Sequence, residues 1–146
     1  MADREKIEGI LDNLSGYVGK LARLAAFPFP EFIADFTRIE SAKHLLQVSV
    51  ECCLDVSNHL IASEGFRSPK SYAESFVILA EQGVIPNSFL PTMLQMVRFR
   101  NRLVHLYWEV DEKTLYEILQ HNLGDFDTFA QYILAYLKKR ERDKSA

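Results

Sequence analysis

Apolar residues recur three to four positions apart along most of this chain. The first run comprises Ile7, Ile10, Leu11, Leu14, Tyr17, Val18, Leu21, Leu24 and Ala25. This is the spacing of one face of an α-helix. It predicts a first helix from about Asp3 to Ala26, ending before Pro28 and Pro30.

The same pattern predicts a second, longest helix from Phe32 to about Ala62, because no proline or glycine interrupts it before Gly65. Proline favours the start of a helix and glycine its end, so Pro69 to Gln82, before Gly83, predicts a third. Further helices are predicted from an Asn87 or Ser88 cap through Trp108, from Asp111 to about His121, and from Phe126 to Arg140.

No segment alternates apolar and polar residues for long enough to indicate a sheet. The prediction is therefore an all-α, up-and-down bundle of five to six helices. At 146 residues and 48% apolar composition the chain suits one domain. We assign residues 1–140 to that domain and expect 141–146 to be a frayed tail.

Charge and termini restrict the function. A net charge of −3 argues against coating nucleic acid by bulk electrostatics, so an RNA contact needs a local basic patch. The charged start of the chain lacks the core of a signal peptide, and no apolar run approaches a membrane span. We expect a cytoplasmic protein without membrane contact, in which Cys52 and Cys53 are buried or half-buried thiols.

Residues 98–105 form such a basic patch, which contains three arginines and one histidine. On a helical wheel Arg100 and Asn101 fall within the apolar arc, which we expect to include Val104 and Trp108. A core-facing guanidinium needs a compensating group, and candidates on the second helix are Glu51 and Asp55. Phe99 and Leu106 fall about opposite the arc, where we expect them to be exposed and covered by a second protein surface.

Glu51, Asp55 and His59 follow one another at steps of four, on one face of the second helix. Such a face is compatible with a metal site, but the Glu-x-x-His pairs of di-iron bundles are absent. A carboxylate partner for Arg100 is the better use of this face. We expect no metal and no cofactor.

The spacing Arg100-x4-His105-x-Tyr107 resembles the Arg-x4-His-x-Tyr signature of HepT-like toxins, in the HEPN superfamily of helical ribonucleases. Asn101 matches the polar residue that commonly follows the motif arginine. Further matching blocks extend the resemblance from about Phe36 to Leu119: Ile39-Glu40, Glu51 to Ile61, Pro69 to Tyr72 and Gly83 to Ile85. The plainer interpretation is a helix with a cationic flank and a histidine satisfied by a carboxylate.

The resemblance implies a HEPN-like fold and a metal-independent ribonuclease toxin of a type VII-like HepT/MntA toxin–antitoxin system. It implies a homodimer that is neutralised by a MntA-like nucleotidyltransferase antitoxin, which attaches adenylate groups to the tyrosine at position 107. The plainer role for Tyr107 is a core-edge tyrosine with a satisfied hydroxyl.

The resemblance also implies roles for the motif residues in RNA cleavage, in which the ribose 2′-hydroxyl attacks the adjacent phosphate. Arg100 and His105 would be catalytic, Asn101 would support His105 by a hydrogen bond, and Arg98 and Arg102 would bind RNA phosphates. On an ideal helix Arg100 and His105 lie roughly 140° apart. Either the helix distorts near Val104 or the acting pair comes from two subunits, and we favour the second.

A different class of function is a non-catalytic HEPN interaction module that binds a nucleotidyltransferase or a nucleotide. A module that needs only shape has no reason to keep a charge on its core arc. Arg100 and His105 therefore favour the ribonuclease.

Overall fold

A computed structural model describes residues 4–145, with the side chains of 4–144. Within these residues the chain forms seven α-helices and no strand, which confirms the all-α prediction with one helix more than expected. The helices are α1 Arg4–Ala25, α2 Phe29–Ala34, α3 Phe36–Glu64, α4 Tyr72–Glu81, α5 Leu90–His105, α6 Glu112–His121 and α7 Gly124–Ser145. The described residues do not include Met1 to Asp3 or Ala146. The predicted start of the first helix and the last residue of the predicted tail therefore lie outside them.

Helix α3 is the centre of the bundle. It is 29 residues long and contacts each of the other six α-helices. Its buried side chains include Leu46, Val50 and Cys53, around which Phe32, Phe76 and Phe129 from other helices are fully buried. Helix α5, which carries the motif, packs against α3 and α4.

The additional helix results from a break at Asp35. We expected one helix from Phe32 onward, but Asp35 is extended, with φ −124° and ψ 110°. Its Oδ1 accepts hydrogen bonds from the backbone N of Thr37 at 2.9 Å and from Thr37 Oγ1 at 2.6 Å. Asp35 therefore caps the start of α3, a position that aspartate favours, and α2 becomes a separate short helix.

Other helix ends follow local capping chemistry. Helix α4 begins at Tyr72 rather than Pro69, because Ser71 Oγ accepts from the backbone N of Glu74 at 3.1 Å. Gly65 and Gly83 adopt left-handed φ values of 70° and 72° after α3 and α4, as predicted for helix-ending glycines.

Both ends of the motif helix differ from the prediction. In the described chain neither Asn87 nor Ser88 makes a side-chain cap; residues Asn87–Phe89 form a 3-10 turn, and Pro91 lies in the first turn of α5. Helix α5 then ends at His105, because Leu106 leaves the helical region with φ −134° and ψ 44°.

A 3-10 turn, Tyr107–Glu109, follows α5. The wheel no longer applies there, and Trp108 is 76% exposed, contrary to the prediction. Val104 lies within α5 and is 39% exposed, so the prediction that it belongs to the apolar arc was also wrong. Helix α7 also differs, since it continues past Arg140 to Ser145. None of the described helices combines the length and apolar character that crossing a membrane requires.

Candidate active site

Arg100 lies on the inner side of α5 and is only 13% exposed at its side chain. Its Nε and one terminal nitrogen donate to Glu51 Oε2 at 3.2 and 2.8 Å. Helix α3 thus supplies the carboxylate that a buried guanidinium requires. Of the two candidates predicted, the structure selects Glu51.

The guanidinium is not fully used by these contacts. Its other terminal nitrogen donates to Asn101 Oδ1 at 3.2 Å, so three of its five N–H groups have partners in the described structure. The remaining two are free to bind an anion. We expected Asn101 to hold His105, but among the described residues Asn101 bonds to Arg100 instead.

Arg100, Asn101 and His105 line one groove of about 830 Å³. The groove lies between α5, the second half of α3 and the segment that leads into α4, and its lining includes Asn58, Lys70 and Tyr72. We expected a single subunit to bring Arg100 and His105 together poorly. Both side chains nevertheless line the same groove within one protomer, although both residues lie on α5.

Arg98 and Arg102 are exposed on α5. Arg102 donates to the backbone oxygen of Glu109 at 3.4 Å, which folds its side chain over the 3-10 turn. Together with Arg100 they place three arginines on the last turns of α5, a local positive group that suits polyanions.

Tyr107 is bound near the start of α3, whereas Arg100 is bound near its middle. Its hydroxyl donates to Glu40, and Lys43 Nζ donates to its backbone oxygen at 3.4 Å. The Lys43 ammonium also lies 4.2 Å from the centre of the Tyr107 ring. Glu40 and Glu51 are eleven residues apart, roughly 16 Å along the helix. Lys43, rather than Arg100, is therefore the cation in contact with Tyr107.

Phe99 and Leu106, the two residues expected outside the core, differ in their burial. Leu106 is 38% exposed, as predicted. Phe99 is partly buried against the protein's own core and lines a cavity of about 180 Å³ between α3, α5, α6 and α7, so the prediction for it was wrong.

The carboxylate face of α3 does not assemble a metal cluster. Among the described residues, no three His, Cys, Asp or Glu side chains come close enough to hold an ion. Burial and the neighbouring charge of Glu51 raise the pKa of Asp55. Cys52 and Cys53 are buried free thiols, as expected, and burial raises the pKa of Cys52 to about 11.

Three site residues escaped the sequence analysis as individual functional groups: Tyr72, Lys43 and Glu40. Tyr72 places its ring 5.0 Å from the Arg100 guanidinium carbon. The sequence signal that could have identified Tyr72 is its position: it is an aromatic residue directly after the Ser71 cap, and it does not belong to an apolar helical pattern. The contacts of Lys43 and Glu40 with Tyr107 join residues 64 and 67 positions apart, and no local pattern reports them.

Comparisons with known proteins identify the family to which the chain is similar. A family model described as "Ribonuclease HepT-like" matches residues 14–133. The chain is 33% identical over 105 residues to the mRNA nuclease HepT of Shewanella oneidensis, covering 72% of this chain and 79% of that one. It is 22% identical over 139 residues to the tRNA nuclease HepT of Aphanizomenon flos-aquae, covering 94% and 93%.

Solved structures show the same fold. The tri-AMPylated Shewanella oneidensis HEPN toxin, solved in complex with its MNT antitoxin, superposes with a TM-score of 0.83 at 28% identity, over 92% of this chain and 99% of that one. YutE of Bacillus subtilis, a cytosolic protein, superposes with a TM-score of 0.82 at 22% identity, over 95% and 93%. With a family match across most of its length and a relative above 30% identity, the chain belongs to the HepT-like ribonuclease family, in the HEPN superfamily.

Proposed function

We propose that this chain is the ribonuclease toxin of a toxin–antitoxin pair and that it cleaves RNA without a metal ion. The observation that carries the proposal is the placement of Arg100. A buried guanidinium, oriented by Glu51 and with N–H groups to spare, borders the same groove as His105. Maintaining a buried charge costs stability. Binding a phosphate is a function that fits the geometry of this guanidinium.

The proposed reaction is in-line attack of a ribose 2′-hydroxyl on the adjacent phosphate. His105 exchanges a proton with the reacting oxygens, the general acid–base role that histidine fills most often. Arg100 binds the equatorial oxygens of the phosphorane through its free N–H groups. The products are a 2′,3′-cyclic phosphate and a free 5′-hydroxyl.

Arg98 and Arg102 bind flanking phosphates in this proposal. Both are exposed, so they contribute affinity rather than chemistry. Arg98→Ala is expected to weaken RNA binding and to reduce the salt dependence by about one counterion, with kcat preserved. Asn101 supports the site through Arg100, to which it is bonded.

The test is cleavage of a labelled RNA by purified protein. His105→Ala should lower kcat by about 10²–10⁴-fold, the product should carry a cyclic phosphate, and EDTA should leave the rate unchanged. His121→Ala is the matched control, because His121 is an exposed histidine at the end of α6. Unchanged cleavage by His105→Ala would contradict the mechanism, and a wild type that binds a nucleotidyltransferase without cleaving RNA would favour the interaction module.

We propose further that a nucleotidyltransferase antitoxin neutralises the toxin by adenylylating Tyr107. Each adenylate adds negative charge and bulk at the turn that follows His105, next to Lys43 and in place of the Glu40 hydrogen bond. Intact mass after co-expression should rise by whole adenylate groups, and Tyr107→Phe should abolish the rise. An unchanged wild-type mass would refute this part of the proposal.

A further inference from the structure

Tyr72 is an aromatic side chain that the packing of the bundle does not explain. It is the first residue of α4 and is 49% exposed. Large aromatic residues usually contribute to folding by burial, and half of this side chain remains in contact with solvent at the wall of the groove that contains Arg100 and His105.

The Arg100 guanidinium lies over the Tyr72 ring. The Arg100 Cζ atom lies 5.0 Å from the Tyr72 ring centre, within the range of a cation–π contact. Arg100 occupies only part of the ring surface, because Tyr72 remains half exposed. A flat group entering the groove can therefore stack on Tyr72 while an attached phosphate reaches Arg100.

Polar groups around the ring suit the edge of such a flat ligand. Asn58 Oδ1 accepts from Ser75 Oγ at 2.7 Å, and Ser75 is almost fully buried. This bond fixes the amide, so its NH₂ group is the part left to donate into the groove. Lys70, exposed in the same lining, adds a positive charge for a neighbouring phosphate.

We propose that Tyr72 is the stacking platform for an unpaired nucleobase next to the phosphate that is cleaved, with Asn58 donating to the base edge. The inference rests on the proposed ribonuclease function and adds its substrate class. A base within a duplex has no free face, so the groove selects single-stranded RNA or a loop. A volume of about 830 Å³ lies within the range of small-ligand sites and accommodates one nucleotide with its phosphates.

The test separates stacking from chemistry. Binding is measured by fluorescence anisotropy with a short single-stranded RNA whose riboses are 2′-O-methylated, which removes the attacking hydroxyl. A second strand of the same length carries abasic positions and keeps the phosphates. Tyr72→Ala and Tyr72→Phe are compared with Phe36→Ala, a 73% exposed aromatic at the start of α3 that does not line the groove.

Tyr72→Ala should raise the Kd for the base-bearing strand by about 5- to 150-fold, the range for one stacked base. It should leave the Kd for the abasic strand unchanged. Tyr72→Phe should bind within about threefold of wild type, because the ring face is kept, and Phe36→Ala should bind like wild type.

Two results would overturn the inference alone. Tyr72→Ala weakening both strands equally, or lowering kcat with an unchanged Kd, would assign Tyr72 only to the positioning of Arg100. Either result is compatible with an active wild-type ribonuclease. A wild type that neither binds nor cleaves RNA would overturn the proposed function together with the inference.

Discussion

Arg100 carries a charge on a largely buried side chain. A guanidinium keeps its charge at any pH at which the protein is folded, so burial must be offset by a partner rather than by loss of a proton. Glu51 provides that partner from the middle of α3, where Gln47 also approaches the same Oε2 at 3.4 Å. The carboxylate oxygen thus collects three donors and is held in place itself.

Removing the charge of Glu51 is expected to affect stability and catalysis together. Glu51→Gln should lower the free energy of unfolding by about 1–2 kcal/mol, less than the 3–5 kcal/mol of a fully buried pair, because Glu51 is 34% exposed. Cleavage should fall as well, since Arg100 loses its orientation. Urea unfolding and cleavage assays test both effects.

Asp55→Asn is the matched control for Glu51→Gln. Asp55 is an exposed carboxylate one turn along the same helix, and Arg100 bonds to Glu51 instead. If Glu51→Gln and Asp55→Asn lost the same stability and kept the same activity, the Arg100–Glu51 ion pair would have no special role.

At the scale of elements, periodicity predicted where the helices lie better than where they stop. The apolar positions of α3 match its buried residues, which the sequence displays directly. Its start at Asp35 depends on a single side-chain cap, signalled only by Asp35 and Thr37. The long apolar pattern from Phe32 onward concealed that signal.

The end of α5 was not predictable from its own residues. The wheel continued to Trp108, but the chain turns at Leu106, where contacts from α3 and burial of Val110 hold the 3-10 turn. Within the site, a charge argument identified Glu51 as a candidate partner for Arg100. The Tyr72 and Lys43 contacts depend on how helices pack, which no spacing reports.

The 3-10 turn after α5 should loosen when its link to α3 is cut. Glu40→Ala removes the acceptor of the Tyr107 hydroxyl. The backbone amides of Glu109 and Val110, which donate to the carbonyl oxygens of Leu106 and Tyr107, are expected to exchange hydrogen about three- to tenfold faster, the effect of losing one hydrogen bond. Hydrogen exchange measured by mass spectrometry tests this, with Glu117→Ala, an exposed residue of α6, as control. Equal exchange in both variants would argue against the link.

For the whole molecule, one polar cluster joins the last helix to the central one. Glu64, at the end of α3 and 4% exposed at its side chain, accepts hydrogen bonds from Tyr136 at 2.9 Å and Arg140 at 2.8 Å. Burial alone would raise the pKa of Glu64, but the bonds from Arg140 and Tyr136 outweigh it and hold the pKa below the ordinary 4.5.

This cluster predicts a defined acid sensitivity. A depressed folded-state pKa stabilises the fold fully above the unfolded pKa of about 4.5, and that stabilisation is lost as the pH falls below it. Glu64→Gln should therefore be less stable than wild type at neutral pH, and the difference should shrink toward about pH 3. Urea unfolding across pH measures it, with Glu117→Gln as control. A difference that stays constant with pH would exclude Glu64 as the titrating group.

Removing the Tyr136 hydroxyl tests the same cluster without changing a charge. Tyr136→Phe should lower the free energy of unfolding by about 1 kcal/mol, the net value of one hydrogen bond. The measurement is urea unfolding at neutral pH. Tyr132→Phe is the control, because that ring packs against Phe89 and its hydroxyl is not part of the cluster.

The proposed homodimer belongs to the scale of the whole molecule, and the structure changes which residues should form it. Phe99 packs on its own core and is no longer a candidate. Val104, Leu106 and Trp108 remain exposed around the end of α5, beside His105. Exposed apolar side chains grouped at one place suggest a covering surface, and an isologous contact would bring two copies of the group together.

Light scattering at micromolar concentration should therefore report twice the chain mass for the wild type. The double variant Val104→Ser with Leu106→Ser should be a monomer, whereas Leu134→Ser, which changes a 38% exposed leucine on α7, should remain dimeric. If the two subunits together form the RNA-binding cleft, the monomeric variant should also lose cleavage, by about the same factor as His105→Ala. A monomeric wild type would refute the dimer, and a monomeric variant with full activity would show that one protomer's groove is sufficient.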